Sequence, residues 1–130
     1  LDTVDFFSGH PTILLITTSQ YPTPPKDVNL MKFHTLSKKF PDLILGFSDH
    51  TIGPIASSLA CVLGAVFFEK HFTLDCNLQG PDHWFSANPE QLKIWRDSIM
   101  FSFEMLGDPT VKPTKHELIN KKEFQRIVLA

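Results

Sequence analysis

Long apolar stretches are what this sequence lacks most plainly. Its longest runs, such as Thr12 to Thr17 and Ala65 to Phe68, fall far short of the roughly 20 residues a membrane-spanning helix needs, so no bilayer partner is expected. A basic stripe is absent too: Lys and Arg number 12 against 14 Asp and Glu, for a net charge of -2, which argues against nucleic acid as a partner. Cysteine is scarce. Cys61 and Cys76 lack zinc-ligand spacing, and two thiols without a disulfide framework suit a reduced, cytoplasmic compartment. The opening Leu1-Asp2-Thr3-Val4-Asp5 is acidic where a secretory signal is basic. It also starts without Met, so the chain reads as a fragment of a longer polypeptide. At 130 residues it can build one domain with a modest core.

What is present is an alternation of apolar β-type runs with helical patterns. Thr12 to Thr18 is a short β-branched run that suits a strand buried on both faces, followed by the proline-rich turn Tyr21-Pro22-Thr23-Pro24-Pro25. A helix is expected from about Asp27, as N-cap, to Phe40, where Pro41 stops it. A second strand, Leu43 to Ser48, leads into Asp49-His50-Thr51, and a helix of small residues runs from about Pro54 to Leu63, ended by Gly64. A third strand spans Ala65 to Phe72. The last helix has the clearest start, with Asn88 as N-cap, Pro89 at the first helical position and Gln91 completing a capping box; Gly107 and Pro109 end it. From Val111 onward the sequence reads as a linker leaving the domain, with Ile127-Val128-Leu129 starting a further strand. Strand–helix alternation of this kind implies parallel strands and right-handed crossovers, in an open sheet or in part of a barrel.

In parallel α/β folds ligands meet the C-terminal ends of the strands. The polar residues gather there: Thr18, Ser19, Gln20 and Tyr21 after the first strand, Ser48, Asp49 and His50 after the second, Glu69 and His71 at the third, Asp82 and His83 beyond it. Side chains two apart share a face, so Ser48 pairs with His50 and Glu69 with His71, while Lys70 points away as a structural or solvated residue. Two histidines from adjacent strands can share a divalent cation and leave positions open for water and substrate, as a catalytic metal requires. The plainer alternative stays open: a histidine at a strand end is commonly a hydrogen-bonded core residue. Tyr21 also fits a turn cap, Asp82 a turn former, Ser48 a strand end, and His83-Trp84-Phe85 either a sugar wall or a plug at the sheet end.

Taken together, Tyr21-Pro22-Thr23-Pro24, Gly46-Phe47-Ser48-Asp49-His50-Thr51, Glu69-Lys70-His71-Phe72-Thr73-Leu74-Asp75 and Gly80-Pro81-Asp82-His83 resemble the sialic acid synthase family, whose members make N-acetylneuraminate, legionaminate and pseudaminate. The resemblance implies an α/β fold, a (β/α)8 TIM barrel of which this chain carries about three units, strands six to eight, in residues 1–110. Residues 111–130 would then be a linker toward an antifreeze-like (SAF) domain, and the full-length parent a homodimer. It implies a transferase that condenses phosphoenolpyruvate with an N-acetylmannosamine-type amino sugar, releasing phosphate and a nine-carbon 2-keto acid. By the same resemblance His50 and His71 are the catalytic pair and bind a divalent metal, manganese foremost, with magnesium or cobalt as substitutes. Tyr21 and Asp82 contact the sugar, and Ser48 helps hold phosphoenolpyruvate. Ser19, a further substrate-binding candidate, stands where neuraminate synthases often carry an Asn that also contacts phosphoenolpyruvate. The family's phosphate-binding lysines and catalytic glutamate belong to earlier strands, so the fragment alone is expected to be inactive. Two other readings remain: a non-catalytic remnant or binding domain with a partial barrel, and another metal-dependent TIM-barrel sugar lyase or isomerase.

Overall fold

The computed structural model describes residues 4, 6, 7 and 9 to 124. Three parallel strands, β1 (Ile13–Ile16), β2 (Ile44–Asp49) and β3 (Phe67–Lys70), lie side by side in sequence order with β2 in the centre. Phe47 stands beside Ile16 on one side and Phe68 on the other, and Gly46 lies between Leu15 and Phe67. The expected strands thus form where the β-branched and aromatic runs lie: β1 and β3 are shorter by one or two residues at each end, and β2 is shifted one residue later, ending at Asp49 rather than Ser48. His71 and Phe72 fall just beyond β3, where Phe72 makes a lone parallel bridge to Ala87.

The helices cover one face. Odd-numbered β2 residues point into a core of Ile16, Val28, Phe33, Leu45, Phe47, Ala56, Ala60 and Ala65. The small residues of α3 (Ile55–Val62) let it lie close on the sheet, as their pattern suggested. Gly64, with φ at 101°, ends α3 through bonds from its own N–H to Cys61 and from that of Ala65 to Ala60. The long α4 (Pro89–Leu106) begins with the full Asn88–Gln91 capping box and packs Trp95 and Ile99 on Cys61. The sheet's other face carries Ile13, Ile44 and Phe67, apolar side chains that remain 43%, 50% and 46% exposed.

The helix expected from Asp27 to Phe40 is broken in two, α1 (Pro25–Val28) and α2 (Lys32–Lys39). Asn29 adopts the left-handed conformation (φ 48°, ψ 58°), which asparagine tolerates better than most residues and which no helix can continue through. Asp27 therefore lies inside α1 rather than capping a helix, and its carbonyl accepts the Thr18 hydroxyl. The segment read as a linker carries a further helix, α5 (Lys115–Phe124). It starts with a capping box that the sequence displays, Thr114-Lys115-His116-Glu117: the Glu117 N–H donates to the Thr114 hydroxyl and the Thr114 N–H to the Glu117 carboxylate. The strand expected at Ile127 to Leu129 lies outside the described residues. No described helix is long and apolar enough to cross a membrane.

Candidate functional site

The C-terminal ends of the three strands form one rim. Register fixes its composition: Ser48 lies beside Glu69 and Asp49 beside Lys70, so the same offset carries His50 to His71. Their ring centres are 5.3 Å apart. An ion about 2.1 Å from an imidazole nitrogen lies about 3.3 Å from the ring centre, so two rings on one ion have centres about 5 Å apart. The observed separation fits that requirement.

His50 is oriented by the backbone behind it. Its Nδ1 lies 2.8 Å from the Thr18 carbonyl, which can only accept, so in the neutral ring Nδ1 carries the proton and Nε2 presents its lone pair. Nε2 is 3.3 Å from Ser48 Oγ, but the hydroxyl proton of Ser48 goes to Glu69 Oε1 at 2.6 Å. The Thr23 N–H holds the His50 carbonyl, tying the turn after β1 to the same point. A buried imidazole with its outer nitrogen tied to a carbonyl is the arrangement a metal-binding histidine uses.

Three of the other candidates converge on the histidines. The Tyr21 ring lies 4.3 Å from His50 and 5.5 Å from His71, centre to centre. Asp82 Oδ2 is 3.9 Å from His71 Nδ1, with the Asp82 side chain 62% exposed. Ser48 is buried and engaged with Glu69. Ser19 is exposed, and among the described residues no side-chain hydrogen bond joins it to the others. Phe85 is buried under the group, 5.0 Å from His71 and 5.1 Å from Tyr21, while its neighbour Trp84 stays 60% exposed. Of the two aromatics, then, Phe85 is the floor and Trp84 the outward surface. The loop bearing Asp82 is clasped to the sheet by His83, whose Nδ1 meets the Thr73 hydroxyl at 2.7 Å.

Two residues take places that strand-by-strand reading did not give them. Glu69, assigned only a face, is the hydrogen-bond partner of Ser48, a relation visible only once β2 and β3 are in register. Asp49, grouped with the rim, points instead to the helix side and is 1% exposed. It accepts bonds from the Thr51 N–H and hydroxyl, the Ser57 hydroxyl, the Trp95 indole N–H and the Lys70 ammonium. Lys70, expected to be structural or solvated, is the structural partner: it also donates to the Thr51 carbonyl, and burial pulls its pKa below the usual lysine value against the opposing attraction of Asp49. Among the described residues no group of three His, Cys, Asp or Glu is arranged to hold a metal ion, so an ion here would have two protein ligands from this chain.

A parallel α/β sheet gathers its ligand-facing groups at the C-terminal rim, and here two imidazoles, a tyrosine and a carboxylate stand there. Comparison with known proteins narrows the class. The NeuB family model matches residues 2–110, and the chain belongs to that family. It is 42% identical over 122 residues to N,N'-diacetyllegionaminic acid synthase of Legionella pneumophila, covering 91% of this chain and 34% of that protein. It is 36% identical over 113 residues to human N-acetylneuraminate-9-phosphate synthase, covering 87% of this chain and 32% of that one. Among solved structures, the N-acetylneuraminic acid synthetase of Leptospira borgpetersenii superposes with a TM-score of 0.79 at 32% identity, over 97% of this chain and 46% of its own. The chain thus spans about a third of the length of the curated relatives it matches.

Proposed function

We propose that this chain is the metal- and sugar-binding portion of a nonulosonate synthase, which condenses phosphoenolpyruvate with an N-acetylmannosamine-type amino sugar. The observation that carries the proposal is the pair of imidazoles at one rim, 5.3 Å apart, with Nδ1 of His50 tied to the Thr18 carbonyl so that the lone pair is left on Nε2. His50 and His71 would hold a divalent ion, manganese foremost. Such an ion supplies a Lewis acid for the sugar's aldehyde oxygen. The rest falls to the chain's own groups. Tyr21 and Asp82 stand beside the rings, where a hydroxyl and a carboxylate can bind sugar hydroxyls and fix which face of the aldehyde is open to attack. Phe85 closes the floor against water. Ser48 and Glu69, joined by their hydrogen bond, border the space where phosphoenolpyruvate would lie.

The wider reading follows the same line. The exposed apolar face formed by Ile13, Ile44 and Phe67 suits the interior of a (β/α)8 barrel whose other strands this chain does not supply. On that reading residues 1–110 are barrel strands six to eight, residues 111–130 lead to an antifreeze-like domain, and the phosphate-binding lysines lie on other strands, so this chain alone does not turn over. The full-length parent would act as a cytoplasmic homodimer.

Two measurements test this. Titration calorimetry of the chain with Mn2+ should show one site that His50→Ala or His71→Ala each abolishes; unchanged binding in either variant defeats the ligand assignment. Phosphate release from phosphoenolpyruvate by the full-length protein should require a mannosamine derivative; release independent of every such sugar would overturn the synthase reading.

A further inference from the structure

We propose that the buried Asp49–Lys70 pair positions the two imidazoles, holding the ends of β2 and β3 at the separation that lets His50 and His71 share one ion. The inference rests on the metal-centre reading above and goes beyond it to residues that never touch the ion or the substrate.

The argument begins with alternation. Asp49 immediately precedes His50 and Lys70 immediately precedes His71, and the two are direct neighbours across the strands. What holds Asp49 and Lys70 on the helix side therefore sets the backbone from which the two imidazoles project on the other side. Asp49 receives bonds from three directions. Thr51 donates twice at 2.8 and 2.7 Å, Ser57 of α3 donates at 2.6 Å, and Trp95 of α4 at 3.0 Å. Lys70 reaches across from β3 at 3.3 Å and also donates to the Thr51 carbonyl at 2.8 Å. His50 is thus bracketed by Asp49 and Thr51, both anchored to the same ammonium. His71 is bracketed by that lysine and by its own carbonyl, which accepts the Ala87 N–H at 2.9 Å.

A buried ion pair is a poor device for stability alone, since desolvating two charges offsets most of their attraction, and an apolar pair of equal volume often serves as well. It is a good device for fixing geometry, because each bond has a direction and a length. Paired ligands on separate strands need that: a metal centre tolerates only about 0.5 Å of drift. Among the described residues Lys70 makes the network's only side-chain bond from β3 to β2. Ser57 and Trp95 bond Asp49 from the helices; the Trp95 ring also meets Lys70, whose Nζ lies 5.9 Å from its centre, and Phe68 at 6.3 Å, contacts of an aromatic face that phenylalanine largely keeps.

That division gives the test. The full chain, its Lys70→Met variant and its Trp95→Phe variant are titrated with Mn2+ by calorimetry, and with Co2+ by its visible ligand-field spectrum. Lys70→Met keeps the volume and removes the link between strands. It should weaken Mn2+ binding about tenfold, as loss of a group supporting metal ligands does, and shift the Co2+ bands. Trp95→Phe should lower Tm while leaving affinity within about twofold and the spectrum unchanged. Wild-type affinity and spectrum in Lys70→Met overturn the proposal, as does weakening in both variants in proportion to their lost Tm, which marks a purely structural network. If Lys70→Met does not fold, Asp49→Asn, of the same shape without the charge, carries the same comparison. A wild-type chain that binds neither ion overturns the metal-centre reading and this one with it; binding indifferent to Lys70 overturns this one alone.

Discussion

Gly46 sits at the centre of β2, and placing one methyl group there should break the molecule in a readable way. Its backbone is not left-handed, so alanine meets no conformational penalty, and in open space the change would stabilise by roughly 0.5 kcal/mol through a less flexible unfolded chain. The space is not open. A Cβ at Gly46 would lie 2.5 Å from Leu15 Cδ2, 2.7 Å from the Phe67 carbonyl oxygen and 3.0 Å from Phe67 Cβ. Leu15 can rotate, but the Phe67 carbonyl is backbone of β3, the strand paired directly with Gly46, so it yields only if the two strands part. Overpacking of this kind costs about 1–3 kcal/mol. With the backbone as the obstacle the upper half of that range applies, and at about 5 °C per kcal/mol for a chain of this size Tm should fall by about 10–15 °C. The measurement is thermal unfolding of Gly46→Ala beside the wild type, followed by circular dichroism. Because the same strands carry His50 and His71, Mn2+ affinity should fall as well. An unchanged or higher Tm would refute the reasoning, showing that β3 moves freely past Gly46 and that strand spacing is not fixed there.

Asp82→Asn should raise the sugar KM of the full-length protein more than the KM for phosphoenolpyruvate, because Asp82 stands beside His71 while Ser48 and Glu69 bond each other; equal shifts would make it a turn residue only. Gly80→Ala should loosen the same loop, since Gly80 has φ of 148° and a Cβ there would sit 2.8 Å from His83 Cδ2, forcing that ring off Thr73. Its sugar KM should rise several-fold with Mn2+ affinity nearly unchanged, and a wild-type KM would refute the clasp. In α5 the backbone N–H of Thr114, and then its hydroxyl, hold the Glu117 carboxyl below its ordinary 4.5. The folded value is the lower one, so the cap's stabilisation is complete above the ordinary value and fades as pH falls through the folded one. Amide chemical shifts of Thr114 and Glu117 should report fraying of α5 in that acid window, and a helix start unchanged below it would contradict the cap.

Features written in short stretches of chain were legible in the sequence. The Asn88-Pro89-Gln91 start needs only four residues and formed as expected. The cap at Thr114 and Glu117 was equally visible but lay in a segment whose Pro113 and lysines drew the reading toward a linker. The break at Asn29 was not legible, because Val28, Leu30 and Phe33 keep a helical spacing even while the backbone leaves the helix between them. At the site, parity of position placed Ser48 with His50 and Glu69 with His71. The contact between Ser48 and Glu69 and the burial of Asp49 depend on how β2 and β3 align, which neither strand states by itself. An Asp beside a His at a strand end looks like a rim residue until the opposite strand supplies a lysine.

That alignment is where the sequence exerts its strongest control over chemistry. β2 and β3 differ by 21 positions at every paired rung, so each residue facing the site meets one facing the site, and Asp49 meets Lys70. A slip of one residue would turn His71 toward the helices and bring Lys70 into the site, losing both the imidazole pair and the buried ion pair. The register is set before the rim is reached. Gly64 ends α3 with Ala65 bonded back to Ala60, and the next N–H, that of Val66, donates to the Leu45 carbonyl at 3.0 Å as the first rung between the strands. One residue further on, Phe67 fits only beside the bare Cα of Gly46. A residue inserted or deleted between Leu63 and Val66 should therefore weaken Mn2+ binding at the proposed His50–His71 site more than an equal change in the Asn77 to Gln79 part of the exposed loop beyond β3, although both lie away from the imidazoles in sequence.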